Sequence, residues 1–212
     1  MYLQDPSGKD REMKRAFFDK LLSASGAVVV AVLLVSGGLL MWGNNFATSS
    51  VHQQLLEQHI VFPAKNSPAI ASPEIRPYLL PYAGQVMTTG PQAKAYADHF
   101  IAVHLKELPS GGVYSTLSRK AMADPTNAKL AAVVETSFRG TVLRGLLLEA
   151  YGFWMFGEIA LWAAIASFSL AGVMAVLVIL GLWHARAASA TGSGETGSDN
   201  RSQRELDLVT TS

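Results

Sequence analysis

Apolar residues gather into two unbroken stretches of this chain, separated by a mixed region punctuated by proline. No Asp, Glu, Lys or Arg interrupts Leu21 to Trp42 or Ile159 to Trp183. At about 1.5 Å of rise per residue the first would form a helix roughly 33 Å long, slightly more than the hydrocarbon thickness of a bilayer. The second has a few residues to spare, enough for a modest tilt. Two membrane-crossing helices are therefore predicted. Trp42 closes the first stretch and Trp154, Trp162 and Trp183 surround the second, which suits amphipathic rings at headgroup level, with Trp162 rather deep for that role. A cleaved signal peptide is the competing reading of the first stretch, with Ala47-Thr48-Ser49 as a loose cleavage site. Signal h-regions run to only about 7–15 residues, shorter than this one.

Charge on the flanks orients the helices. Lys9, Arg11, Lys14, Arg15 and Lys20 precede the first stretch, the next basic residue after it is Lys65, and Arg186 follows the second within three residues. Basic flanks stay on the cytoplasmic side, so both termini are expected inside and the region between the spans outside. The expected organisation is a cytoplasmic segment over 1–20, a span over 21–42, an extracytoplasmic helical domain over 43–158, a span over 159–183, and a disordered cytoplasmic tail over 184–212, where Gly, Ser and Thr dominate. The fold class expected is an all-α membrane protein.

Within the central region the signals are helical. Val51 to Ile60 extends the first span outward. Pro63, Pro68 and Pro73 mark a loop, Ser72-Pro73-Glu74 reads as a cap, and Pro77 and Pro81 permit only a short helix after it. Thr89-Gly90-Pro91-Gln92 has capping-box spacing, and Ala93, Tyr96, Ala97, Phe100, Ile101, Leu105 and Leu108 recur at helical intervals. Gly111-Gly112 predicts a turn, and Val113, Leu117 and Ala121 a further helix. Asp124-Pro125 reads as the cap of a long helix that runs through Leu130, Val134, Phe138, Val142 and Leu146 into the second span, weakened by Gly140, Gly145, Gly152 and Gly157. Ile60-Val61-Phe62 and Gln85-Val86-Met87 are β-like but too brief to predict a sheet.

Composition agrees with a membrane class and narrows the chemistry. Half of the 212 residues are hydrophobic and 16% are charged, with 17 Lys+Arg against 16 Asp+Glu, so there is no global basic field for nucleic acid. No cysteine is present, which excludes disulfides, thiolate metal sites and a cysteine nucleophile. His52 and His59 lie seven apart, about two helical turns, and His99 and His104 diverge around a helix, so neither pair has chelating spacing. No metal or other cofactor is predicted. There is no Gly-x-Ser-x-Gly, Walker or dinucleotide motif, so no catalytic residue is assigned and a non-enzymatic protein is expected.

His104 falls near the middle of the apolar arc of Ala93, Tyr96, Ala97, Phe100 and Leu108, which predicts a hydrogen-bonded core histidine; alternatively His104 or Tyr96 lends polarity to a ligand pocket. Glu149 and Glu158 flank the entry to the second span, with Arg139 and Arg144 upstream, and structural or inter-subunit pairing with an Arg is expected of them ahead of proton or ion handling. In that span Ala163, Ser167, Ala171 and Ala175 repeat every four residues, a seam of small residues for close helix approach, with Phe168, Leu170 and Leu177 turned away. Ser23, Ala27 and Ala31 have the same spacing in the first span. The two faces are expected to meet, within one chain or across a homodimer, with Leu33 and Leu40 towards lipid.

At Met41-Trp42-Gly43, at Ala93-Lys94-Ala95-Tyr96-Ala97-Asp98 with His104-Leu105-Lys106-Glu107, at Val113-Tyr114-Ser115 and at Leu143-Arg144-Gly145-Leu146-Leu147-Leu148, the chain resembles a family of uncharacterised two-span membrane proteins of actinobacteria. The resemblance covers roughly residues 35 to 180. It implies the topology and the type of host, and no catalytic residue. Some members carry an aromatic ring-opening dioxygenase label, which the scattered imidazoles here argue against, because such enzymes need iron held by His and carboxylate ligands. The functional expectation is an accessory or scaffold protein whose partners are the lipid bilayer and a membrane protein or second copy; the alternative is a sensor or small-ligand-binding module.

Overall fold

Two long helices carry the architecture. In the computed structural model, which describes the backbone of residues 6–210 and the side chains of residues 21–183, α1 spans Pro6–Glu57 and α6 spans Ala128–Thr210. The expectations for 1–20 and 184–212 fall outside the residues described with side chains. Both helices contain a segment long and apolar enough to cross a membrane, and their most apolar windows are only 6% and 11% buried. The chain divides into two compact units, one formed by the residues up to Leu39 and from Ala163 onward, the other by Leu40–Trp162.

In the first unit the side chains turned inward are small. Gly26 and Gly37 are buried on α1; a Cβ on Gly26 would come 2.6 Å from Val178 Cγ2, and one on Gly37 would come 2.8 Å from the Phe168 ring. On α6, Ala164 and Ala171 are buried, and Ala163, Ser167 and Ala175 are half-buried. The contact face of α1 differs from the expected one: Ala27 and Ala31 are exposed, and Val30 and Leu33 are half-buried. Positions 26, 30, 33 and 37 alternate spacings of four and three, the period of two helices packing along a shared seam, whereas a strict every-fourth-residue row drifts off that seam. Phe168, expected to point away, lies over Gly37, filling the space a glycine leaves; Leu170 and Leu177 are exposed.

The second unit has a core of large residues. Val51 and Leu55 from α1 and Leu147 from α6 pack with Phe62, Ile70, Ile75, Leu79, Met87, Ala93, Ala97, Ile101 and Val103 from the segments between. Leu40, expected towards lipid, is half-buried here, three residues on from Gly37 in the same alternating pattern. α1 ends where His59 adopts a left-handed φ of 53°, with the N–H groups of Gln58 and His59 bonded to Leu55 and Leu56 carbonyls. The two β-like stretches then find each other: Val61 and Val86 form an isolated antiparallel bridge, with Phe62 N donating to Gln85 O at 2.9 Å and Met87 N to Ile60 O at 2.8 Å.

Ser72 starts a turn, its hydroxyl accepting from Glu74 N, and α2 begins only at Arg76 (Arg76–Leu79). Pro77 sits in the first turn of α2, where its missing N–H has no intrahelical partner to lose. α3 (Gly90–Ala95) has the expected capping box: Thr89 accepts from Gln92 N, and Gln92 Oε1 accepts from Thr88 N and Thr89 N. A π-helical turn over Tyr96–Ile101 joins it to α4 (Ala102–Lys106). After a turn at Ser110 to Gly112, α5 covers Tyr114–Ala123. The cap of α6 is Asn127 rather than Asp124: Asn127 Oδ1 accepts from Leu130 N, while Asp124 accepts from the Asn127 side-chain amide. Asp124 and Pro125 fall in the turn before the helix, and Asn127, two residues past the proline, takes the capping position.

Candidate functional site

The π-helical turn governs what the middle segment of the second unit presents. Hydrogen bonds in such a turn reach one residue further than in an α-helix, so each later residue lags by one position around the axis. Ala93 and Ala97 are buried as the periodicity requires, and in an uninterrupted α-helix His104, seven residues past Ala97, would join them. In the structure Ile101 is buried, Leu105 packs on the core, and His104 is exposed. His104 is therefore not a core histidine. Its Nδ1 lies 2.7 Å from Phe100 O, and its ring packs 4.5 Å from that of Phe100. Leu105 takes the inward place and touches Gly140, where the lack of a side chain admits its Cδ2.

The same turn holds Asp98. Its carboxylate accepts from Lys94 within the segment and, at 3.0 Å, from Arg144 Nη2 on α6, a tie across 46 residues. Donation by Lys94, opposed by partial burial and reinforced by Arg144, holds the Asp98 carboxyl below the ordinary carboxylate range. Lys94 also lies 5.3 Å from the centre of the Tyr151 ring. Arg144 Nε is buried without a hydrogen-bond partner. Within the chain these contacts leave neither upstream arginine for Glu149 or Glu158. Arg144 is committed to Asp98 and Arg139 to Glu135, one turn back on its own helix. Glu158 is half-buried beside Gly157 and Glu149 is exposed; neither forms an ion pair among the described residues.

Tyr96 belongs to an aromatic line. Tyr82, Phe62, Tyr96, Phe100 and His104 follow one another with ring centres 4.5 to 5.4 Å apart, and burial pushes the Tyr96 hydroxyl pKa up. His99 stacks flat on Tyr78. Among the described residues no three His, Asp or Glu side chains come together as a metal-binding group.

Open grooves lie elsewhere. One of about 320 Å³ is lined by Thr48, Ser49, His52, Gln53 and Trp154. A second, of about 370 Å³, lies between α1 and α6 and is walled by Val51, Gln54, Leu55 and Gln58 on one side and Leu146, Leu147, Glu149, Ala150 and Phe153 on the other. The first unit holds a third, of about 270 Å³, beside Gly26 and Met174. Neither His104 nor Tyr96 lines any of these three. Thr48, Ser49, His52 and Gln53 give the first groove its polar groups, and Gln54, Gln58 and Glu149 those of the second.

The helices of the second unit are also joined by Asn44, whose buried side-chain amide donates to Gly157 O at 2.8 Å. Gly157 allows that approach, lying against Ala47 and Thr48. Sequence reasoning missed this bond, although a signal existed: Asn44 is seven residues from Gly37, a polar residue on the packing stripe. Asp98 with Arg144 left no local signal, because the pair exists only once the π-helical turn lies on α6. Against protein-family models, curated proteins and solved structures the chain finds no match, and its own residues carry the functional reading.

Proposed function

We propose that this protein is a non-enzymatic two-span membrane protein of the kind the actinobacterial resemblance describes, with both termini cytoplasmic and the Leu40–Trp162 unit held outside as a docking module for a larger membrane or envelope complex. The observation that carries the reading is the pair of apolar helices with so little of their span windows buried. Side chains such as Val28, Val35, Leu39, Leu170 and Ile179 are exposed and need an apolar solvent, which lipid provides. The basic flank before residue 21 supports the orientation. The sensor alternative places its ligand beside His104 or Tyr96, and the three grooves described above are lined by other residues.

Two experiments test this reading. A cysteine introduced at Ser67 reacts with an impermeant thiol reagent in intact cells and one at Ser193 does not; labelling at both, or at Ser193 alone, overturns the topology. Purification from native membranes in mild detergent yields a stoichiometric second polypeptide, identified by mass spectrometry. A chain that purifies alone from every detergent tried overturns the accessory role.

A further inference from the structure

The outer part of α6 has two seams, of which α1 and the core fill one and touch the other only at its edge, where the Phe153 ring lies 6.4 Å from that of Phe46. Gly140, Leu143, Leu147, Ala150, Trp154 and Gly157 face the core and α1. Val142, Leu146, Glu149, Phe153 and Phe156 form another stripe with spacings of four, three, four and three, the pattern of a helix that expects a second helix alongside. All five are exposed, and Leu146, Glu149 and Phe153 continue into the groove rimmed by Gln54 and Gln58.

Lipid cannot cover the upper part of this stripe. With the span beginning at Ile159, Glu149 stands about 15 Å above the hydrocarbon and Val142 about 25 Å, whereas the headgroup layer is only about 5–7 Å thick. A second copy of this chain is a poor occupant for a charge reason. Two copies in one membrane share a two-fold axis along its normal, so stripe against stripe would set Glu149 opposite Glu149, two like charges near an apolar seam. Glu149 has no cation of its own among the described residues, since Arg139 and Arg144 serve Glu135 and Asp98.

Resting on the docking role proposed above, we infer that the Val142–Phe156 stripe and its groove receive a helix of a different membrane protein, one that rises from the bilayer beside α6, is apolar on the facing side, and carries a Lys or Arg at the level of Glu149. The apolar positions supply contact area and the single charge supplies register and partner choice.

The test places a photo-crosslinking phenylalanine analogue at Leu146 in the full-length protein in native membranes, and separately at Met122 on the exposed side of α5. The expected adduct forms at Leu146 and not at Met122, and joins an apolar peptide of another polypeptide with Lys or Arg within one helical turn. Glu149→Lys lowers its yield at least about tenfold and Glu149→Gln by a few-fold. Changing the partner's basic residue to Glu restores the yield with Glu149→Lys. Thermal melting of both variants, unchanged because Glu149 is exposed, excludes misfolding as the cause. An adduct with a second copy of this chain, an adduct with phospholipid, or a polypeptide adduct indifferent to Glu149 overturns the inference. Polypeptide adducts at Met122 alone overturn it and leave the docking role standing, whereas no polypeptide adduct at either site counts against both.

Discussion

Between Leu40 and Trp162 the fully buried side chains include Phe62, Ile70, Leu79, Met87, Leu117 and Leu147; in the other unit the buried residues are Gly26, Gly37, Ala164 and Ala171, while many valines, leucines and isoleucines stand exposed. With the first unit in the bilayer, as proposed above, opposite solvents account for the opposite choices. Against water, burying a large apolar side chain is worth about 1.5–3 kcal/mol, so the second unit hides its largest residues. Against lipid a leucine gains nothing by turning inward, and association depends on how closely two backbones approach, so the first unit hides its smallest.

That contrast is easiest to break from the water-facing side. Leu79→Ala or Met87→Ala empties a site with no access to solvent, and a loss of about 2–5 kcal/mol is expected, read as lower thermal stability and lost hydrogen-exchange protection over residues 90–106. Leu170→Ala, exposed in the first unit, leaves both readouts in place. Equal losses at Leu170 and Leu79 would mean that both units bury apolar area in the same way.

The first unit should respond instead to added bulk. Ala171→Ile or Ser167→Ile overpacks the helix contact at a cost of about 1–3 kcal/mol, whereas Val173→Ile, on an exposed face, is nearly silent; folded protein recovered in mild detergent measures the difference. Equal recovery for all three would remove the seam as the basis of helix association.

The smallest effect concerns a polar tie of the second unit. Asp98→Asn removes the partner of both Lys94 and Arg144 and costs about 1 kcal/mol, discounted because both cations are partly solvated. The Asp98 carboxyl titrates below its unfolded value, so its contribution is complete above the ordinary carboxylate pKa of about 3.9 and is lost as pH falls through the folded pKa. The stability gap between wild type and Asp98→Asn is therefore present at pH 7 and closes below about pH 4, as thermal melting over that range would show. A gap that persists in acid would point to lost packing rather than lost charge.

Local chemistry made several elements legible in the sequence. Charge-free length located both apolar segments, Thr89 and Gln92 announced their capping box, and the absence of proline after residue 125 marked the continuous α6, because each of these depends on residues within a few positions of one another. The direction His104 faces, the carboxylate that holds Arg144, the pairing of Val61 with Val86 and the bond from Asn44 to Gly157 were decided by tertiary structure. A single π-helical turn moved His104 outward by one helical position, and no periodicity count over an assumed α-helix registers that step. The other three join residues far apart in the chain, whose energies arise only when separate segments are brought into contact, and a sequence read along its length carries no distance across space.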